Sequence, residues 1–332
     1  MAGLIHPVSI AGGGLAGLSL GIALLQRGVS VTVNEAGKYP RHRVCGEFIS
    51  GVTEQTLEKL GILGSLRDAV PLATSRWFDA SGPVANLRVS GMGISRWVLD
   101  QRLRDEFVNA GGTLRTGSRA VPGEGVVWAA GKVKTDGEWI GVKCHARALA
   151  PAADLEMHIG SNGYVGLARI ENGMVNVCGL FRRQKGIGGH EALFQCLRAG
   201  GLTLLAERIS AADPDPGSFC AVAGFQTGRQ SGPACSVGDA ANMIPPFTGN
   251  GMTMAFESAA LALDPVLEYA AGKLSWQQAS ELVARLQTRR FSGRMRVAGW
   301  IHYLMLAKPG LVALLARRNM IPSQFLLQLL RR

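Results

Sequence analysis

The sequence predicts an α/β protein in which a Rossmann-like domain is interleaved with an antiparallel-sheet domain, followed by C-terminal helices. Three observations support this fold class. A glycine-rich turn joins an apolar strand to an apolar helix near the N-terminus, β-rich runs separated by Gly, Asn and Asp turns fill the middle, and residues 270–332 have helical patterns broken by proline. With 332 residues, 47% hydrophobic and 18% charged, the chain is neither disordered nor fibrous.

The N-terminal segment predicts a complete βαβ unit. A strand over residues 8–11 runs into a GxGxxG motif, an apolar helix ends before Gly28, and a second strand over 29–33 leads to Asn34-Glu35. Such glycines permit the tight turn, a close approach of pyrophosphate and helix packing, and the acid contacts an adenosine ribose while repelling a 2′-phosphate. FAD or NAD is therefore favoured over NADP, and the candidate binding residues are Gly12, Gly14, Leu15, Ala16, Gly17 and Glu35.

A second motif lies far downstream. Residues 236–241 read Ser-Val-Gly-Asp-Ala-Ala, and residues 244–252 read Ile-Pro-Pro-Phe-Thr-Gly-Asn-Gly-Met before a helix-like stretch. Together with the N-terminal motif, this segment resembles the FAD-dependent aromatic-hydroxylase superfamily, which includes group A flavoprotein monooxygenases, geranylgeranyl reductases and flavin-dependent halogenases. Residues 40–50 and an R-x-x-L-x-x-x-L pattern starting at Arg96 are similar to intermediate segments of the same superfamily.

The resemblance implies roles for specific residues. Asp239 is expected to accept hydrogen bonds from the ribityl chain, and the helix start at residues 249–252 to stabilise reduced flavin with its N–H groups. The further cofactor-binding candidates are Arg43, Cys45, Arg96, Asp239, Pro246, Gly249, Asn250, Gly251 and Met252. The candidates for the substrate pocket are Glu47, Tyr164 and Pro245.

The resemblance also implies interleaved domains. The FAD-binding domain is expected to contain residues 1–71, 96–131 and 220–265, and the substrate domain residues 72–95 and 132–219. Residues 266–332 form a helical tail, with breaks near Pro309 and Pro322. Glu171-Asn172-Gly173 predicts a hairpin turn in the substrate sheet.

The expected activity is hydroxylation of a bulky apolar or aromatic, polyketide-like substrate, with NADH or NADPH as electron donor. The alternatives are a double-bond reductase of geranylgeranyl-reductase type and a non-catalytic electron-carrying flavoprotein. The superfamily's mid-chain Asp-Gly pair is replaced here by Ala130-Gly131, which leaves the pyridine nucleotide open. Halogenation is disfavoured, because residues 60–131 contain no lysine and the Trp-x-Trp-x-Ile-Pro segment is missing.

Isolated polar residues are not nominated as catalytic. His145, His158 and His190 have no ligand-spaced partners and are expected to be surface or hydrogen-bonded histidines. Lys143 could anchor a substrate anion, although a solvated position at a strand edge is favoured.

The net charge of +11 is concentrated at the C-terminus, since residues after Glu281 include ten basic and no acidic side chains. Peripheral membrane contact through residues 282–332 is one interpretation, and packing on the body with arginines facing water is the other. Binding to nucleic acid is not expected, because few aromatic residues accompany these cations. The six cysteines lack CxxC spacing, which indicates neither zinc nor disulfides and favours a cytoplasmic protein.

Overall fold

The structure is a computed structural model that describes residues 5–132, 136–189, 191–224, 226–318 and 320. The strands in the described residues are β1 (Val8–Ala11), β2 (Val31–Glu35), β3 (Phe48–Ser50), β4 (Val70–Asp79), β5 (Gly82–Gly93), β6 (Thr113–Thr116), β7 (Val126–Trp128), β8 (Trp139–Ala146), β9 (Leu155–Ile159), β10 (Gly163–Arg169), β11 (Val175–Arg182), β12 (Cys220–Ala223), β13 (Gly228–Arg229) and β14 (Asn242–Met243). The α-helices there are α1 (Leu15–Leu25), α2 (Glu54–Lys59), α3 (Arg96–Asn109), α4 (Ala192–Ala199), α5 (Thr203–Ser210), α6 (Gly251–Ala270), α7 (Trp276–Ala307) and α8 (Pro309–Arg317).

A four-stranded parallel sheet forms the first layer, with strand order β6-β2-β1-β7. In the register of the sheet, Ile10 lies opposite both Val33 and Val127. Helix α1 is buried along almost its whole length and packs against α3 and α6, because its sequence is apolar on every side. This layer is the predicted Rossmann-like domain, and its core places the glycine motif at the carboxyl end of β1.

An eight-stranded sheet forms the second domain, in the order β12-β8-β11-β10-β9-β4-β5-β3. Its neighbouring strands are antiparallel except β4 and β9, which run parallel, so the predicted antiparallel sheet is in fact mixed. The edge strands β3 and β12 come from segments expected in the FAD-binding domain. Both strands are too short for an alternation of apolar and polar residues to be recognised in the sequence. The fold class is confirmed in its main features.

The hairpin turn predicted at Glu171-Asn172-Gly173 joins β10 to β11. Asn172 and Gly173 have φ values of 60° and 69°, a left-handed conformation that Asn and Gly adopt most easily. The turn fixes the register of the two strands, so that Tyr164 lies opposite Leu180 and Gly166 opposite Cys178.

The C-terminal helices are confirmed over the described residues. Helix α7 begins with a capping box formed by Ser275 and Gln278. The helix is interrupted at Lys308, and α8 starts at Pro309. The second expected break, at Pro322, lies outside the described residues. No single helix in the described part of the chain has the length and apolarity needed to cross a membrane, although α7 and residues 310–317, bent by 106°, pass that test as a pair.

Candidate functional site

A cavity of about 340 Å³ lies at the carboxyl end of β1, between the start of α1 and the loop after β2. We call it the glycine-loop cavity. Eleven of the predicted cofactor-binding residues line it, although they come from five separate segments of the chain: Gly12, Gly14, Leu15, Ala16, Glu35, Arg43, Cys45, Arg96, Asp239, Gly251 and Met252. The crevice outside the carboxyl ends of parallel strands is where doubly wound folds bind nucleotides.

The three glycines of the motif have different surroundings, so the physical argument for glycine differs at each position. Gly12 has a φ of 110°, and a Cβ there would lie 2.3 Å from the carbonyl oxygen of Ala129. A Cβ on Gly17 would lie 2.0 Å from the carbonyl oxygen of Gly12, so Gly17 serves helix packing and does not line the cavity. A Cβ on Gly14 would meet only Arg96, at 3.8 Å. Protein packing therefore does not require glycine at position 14, whereas the close approach of a ligand would.

The carboxylate of Glu35 lies at the end of β2 and faces the same cavity. It accepts hydrogen bonds from the backbone N–H groups of Gly13 at 2.9 Å and Gly37 at 2.7 Å, and from Arg41 at 2.7 Å. Burial would raise the pKa of Glu35, but these hydrogen bonds and the charges of Arg43 and Arg41 hold it below its ordinary value. Glu35 is therefore an ionised acceptor.

Two arginines in the cavity wall are held by Asp100, which the sequence analysis did not identify. Arg96 forms a bidentate ion pair with the Asp100 carboxylate at 2.6 and 2.9 Å, and the Nε of Arg43 lies 2.9 Å from the same carboxylate. Asp100 is 1% exposed, so its carboxylate fixes both guanidinium groups. Its position four residues after Arg96 on α3 is a signal that could have identified it.

Asp239 also lines the glycine-loop cavity, in a 3-10 turn over Gly238–Ala240. Burial raises the pKa of Asp239, and the charges of Lys132, Arg96 and Arg43 oppose that rise. Next to it, α6 begins at Gly251 without a side-chain cap, so N–H groups of its first turn are available to a ligand.

A second cavity, of about 130 Å³, adjoins the first. We call it the apolar cavity. Val44 and Cys45 line both cavities, so this loop forms their shared border. Most of the remaining wall comes from the large sheet and the loop before α6. Its larger apolar side chains are Phe48, Trp77, Leu87, Val89, Leu155, Met157, Tyr164, Leu180, Met243 and Phe247.

The predicted residues of the 245–252 segment divide between the two cavities. Pro246, Gly249 and Asn250 line the apolar cavity, whereas Gly251 and Met252 line the glycine-loop cavity. This segment therefore contributes to the walls of both cavities. Gly249 has a φ of 65°, and a Cβ there would meet the Phe48 ring at 2.4 Å, so glycine is required for the turn.

The three candidates for the substrate pocket have different positions. Tyr164 lines the apolar cavity, and its hydroxyl accepts a hydrogen bond from the backbone N–H of Phe247 at 3.0 Å. Pro245 is buried and does not line either cavity. Glu47 is completely buried behind the border loop, so the structure places it beside the pocket wall and not on it.

Glu47 is the centre of a buried charged network that the sequence analysis missed. Its carboxylate lies 2.5 Å from the Nζ of Lys143 and 2.6 Å from the Nε2 of His145, and it accepts the backbone N–H of Arg96 at 2.9 Å. Burial would raise the pKa of Glu47, but Lys143 and His145 lower it below its ordinary value. With a φ of 54°, Glu47 is held in an unfavourable backbone conformation by these partners.

The expectation that Lys143 is solvated at a strand edge is wrong. Lys143 is 0% exposed, because β8 is an interior strand between β12 and β11. Its charge is balanced by Glu47, 96 residues earlier in the sequence. His145 and His158 are hydrogen-bonded histidines, facing Glu47 and Glu156 respectively, and His190 lies outside the described residues.

Lys132 is a further residue that the sequence analysis did not nominate. It lines the apolar cavity, and it interacts electrostatically with Asp239 in the wall of the glycine-loop cavity. Burial lowers the pKa of Lys132, and Asp239 counteracts this effect. Lys132 therefore brings a basic group to the junction of the two cavities.

The groups that line the glycine-loop cavity are those that would bind a dinucleotide such as FAD. The cavity offers space at Gly14 for a pyrophosphate, two fixed arginines, an ionised Glu35 for the ribose and the uncapped start of α6.

Comparisons with known proteins support the fold. No protein-family model and no curated protein sequence matches the chain. Among solved structures, the flavin-dependent brominase Bmp2 has a TM-score of 0.71 at 15% identity, covering 98% of this chain and 93% of Bmp2. PqsL, a probable FAD-dependent monooxygenase from Pseudomonas aeruginosa, has 0.70 at 16%, covering 96% and 99% of the chains. CtdE, solved in complex with FAD, has 0.73 at 16%, covering 98% and 100%.

These similarities extend over nearly the whole chain, so they include both sheets and the C-terminal helices. The chain therefore shares the fold of these solved flavin-dependent proteins.

Proposed function

We propose that this protein is an FAD-dependent monooxygenase that hydroxylates an apolar, aromatic small molecule, with NADH or NADPH as electron donor. The observation that carries the proposal is the apolar cavity that adjoins the glycine-loop cavity across Val44 and Cys45. This arrangement would bring a substrate ring to the edge of a bound flavin. When bound, FAD would supply the redox and oxygen chemistry.

The residues of the chain would bind and orient the two molecules. Gly14 and the start of α1 would receive the pyrophosphate, Glu35 the ribose, and Asp239 the ribityl hydroxyls. The N–H groups at the start of α6 would face the ring and favour its reduced, anionic form. The aromatic and aliphatic wall of the apolar cavity would exclude water from the reacting atoms.

The size of the apolar cavity refines the expected substrate. An engineered cavity of about 150 Å³ in another protein accommodates benzene, so a cavity of this size holds about one aromatic ring. We therefore propose that one ring of the substrate enters the apolar cavity and that the remainder of a bulky molecule extends toward its opening. Gly166 leaves room in the wall, since a Cβ there would have no neighbour nearer than 3.7 Å.

The test measures oxygen transfer under isotope-labelled oxygen gas. Aromatic compounds that perturb the absorption of the FAD-loaded protein are incubated with NADH or NADPH, and the products are analysed by mass spectrometry. One labelled oxygen per product molecule supports the proposal. A product that has gained two hydrogens and no label supports the double-bond reductase instead.

Gly166→Leu tests whether the apolar cavity is the substrate site. The leucine should fill the apolar cavity and abolish the perturbation by aromatic compounds, while the FAD content stays at the wild-type level, because Gly166 does not line the glycine-loop cavity. If the variant hydroxylates the same compounds at the wild-type rate, the apolar cavity is not the substrate site.

Halogenation is the second candidate, and Lys132 is the observation that favours it. Lys132 comes directly after residues 60–131, the interval in which the absence of lysine disfavoured halogenation. It lines the apolar cavity and interacts with Asp239. The test is a parallel incubation with bromide or chloride. Halide in the product of the wild type, and its loss in Lys132→Met, would favour the halogenase over the hydroxylase.

A further inference from the structure

The outer surface of α7 carries cations and aromatic side chains along one stripe. Arg285, Arg289, Arg296, Trp300 and Tyr303 are all exposed, and their spacings of three, four and seven residues place them on one face of the helix. We call these five residues the α7 stripe. Trp300 is 61% exposed and Tyr303 68%. Large aromatic side chains with this much exposure are unusual in pairs on a water-facing helix.

Helix α8, which is bent by 106° from α7, also exposes apolar side chains next to cations. Leu311 and Leu314 are 50% and 44% exposed, and Met320, just beyond the helix, is 64% exposed. Lys308 and Arg318 flank them at the two ends of α8 and are exposed as well. Apolar side chains bordered by cations therefore continue past the bend between the two helices.

Other cations of the tail have structural partners, which separates them from the α7 stripe. Arg290 and Arg294 pair with Glu257 on α6, and Arg317 pairs with Asp79 at the end of β4. These arginines attach the tail to the body. The arginines of the stripe are exposed on the side away from the body. The only acidic residue close to them along α7 is Glu281, one turn before Arg285, and none follows it in the sequence.

If the tail only packed on the body, Trp300, Tyr303, Leu304 and Leu311 would be expected to be buried there. Leu304 is half-buried, whereas the other three are exposed. The structure instead buries the opposite face of α7, through Phe291, Ala298 and Met305. The exposed face thus does not contribute to the core of the described protein.

We infer that the α7 stripe, together with Leu311 and Leu314, docks the protein on the surface of an anionic lipid bilayer. Tryptophan and tyrosine prefer the interfacial region of a bilayer, and arginine is attracted by anionic headgroups. A helix that carries both along one side lies in the plane of the interface without crossing it. Charge complementarity and the exposed aromatic side chains together select this partner.

The position of the stripe agrees with an apolar substrate, a point that rests on the proposed function. The inner side of the same helical segment packs on the wall of the apolar cavity, because Met305 and Ile301 belong to one cluster with Tyr164 and Phe247. A bilayer under the outer side would therefore lie close to the site that takes apolar molecules.

The experiment is vesicle flotation of the full-length protein at low salt, with phosphatidylcholine vesicles and with vesicles containing phosphatidylserine in addition. We expect binding to the second kind only, and release at high salt. Arg289→Gln with Arg296→Gln removes two charges, each worth about fivefold in partitioning, so binding should weaken about 25-fold. Trp300→Ala with Tyr303→Ala should weaken it by about tenfold.

Matched controls come from other surfaces. Arg67→Gln with Arg198→Gln removes two exposed charges, and Leu204→Ala removes an apolar side chain that is 82% exposed. Both controls should bind as the wild type does. The proposal is overturned if the wild type fails to float with anionic vesicles, or if the control variants lose binding as much as the stripe variants do. It is also overturned if light scattering shows a dimer that Trp300→Ala with Tyr303→Ala dissociates, since the stripe would then bind a second copy. Flotation requires no flavin chemistry, so its result is independent of the proposed activity.

Discussion

Gly14→Ala should separate binding of FAD from folding. The backbone of Gly14 has φ −90°, which alanine adopts readily, and the new Cβ would have only Arg96 nearby, at 3.8 Å. The ligand-free variant should therefore keep its stability to within about 1 kcal/mol. In the complex, the methyl group would stand where the pyrophosphate approaches the start of α1.

The expected loss of affinity follows from the contacts that the methyl group displaces. A charge-assisted hydrogen bond between a phosphate and a backbone N–H contributes about 1.5 to 3 kcal/mol. Losing one such bond should weaken FAD binding by roughly 10- to 150-fold. Titration of the ligand-free protein with FAD, followed by quenching of flavin fluorescence, measures the dissociation constant, and urea unfolding of the same samples measures stability.

Gly17→Ala is the matched control. Its Cβ would lie 2.0 Å from the carbonyl oxygen of Gly12, so overpacking should destabilise the fold by about 1 to 3 kcal/mol or more. The reasoning would be refuted if Gly14→Ala bound FAD as tightly as the wild type, or if it unfolded as readily as Gly17→Ala.

The remaining predictions concern the buried charged and polar groups. Lys143→Met removes the buried cation that pairs with Glu47 and leaves, among the described residues, only His145 and the Arg96 N–H as partners of its carboxylate, so it should cost about 3 to 5 kcal/mol in urea unfolding. Lys143→Met combined with Glu47→Gln should recover part of that loss. Burial would raise the pKa of Glu156, but His158, Arg208 and the Ala152 N–H lower it to about 2. Its carboxylate therefore stabilises the fold above about pH 4.5, and this contribution is lost as the pH falls toward 2. Glu156→Gln should make the free energy of unfolding depend less on pH in that window. Burial lowers the pKa of His302 to about 4, so the unfolded chain takes up a proton there first and stability falls between pH 6.5 and 4. His302→Phe should reduce that fall and keep the stacking on Phe247, which thermal unfolding at several pH values would check.

Local sequence signals predicted the part of the site that is built from neighbouring residues. Gly12 and Gly14 lie between a strand and a helix, and Gly17 lies in the first turn of that helix. This spacing in this context indicates the dinucleotide fold without knowledge of distant contacts. The segment around Gly249 was equally informative, since a helix start after a glycine turn is a local feature.

Features that depend on distant partners could not be predicted. A lysine in a strand is ordinarily solvated, and only the fold brings Glu47 to Lys143 and makes β8 an interior strand. The division of residues 249–252 between two cavities likewise depends on how the large sheet meets the parallel sheet. The parallel pairing of β4 with β9 has no local signature, because it joins strands that are far apart in sequence.

The measurement that tests the central claim most directly is the flavin content of the purified protein. The protein is incubated with excess FAD, separated from free ligand and denatured, and the released flavin is identified by chromatography and mass spectrometry. Our account predicts close to one FAD per chain for the wild type and clearly less for Asp239→Ala, which loses a hydrogen-bond acceptor in the cavity wall. A wild-type protein that retains no FAD would contradict it.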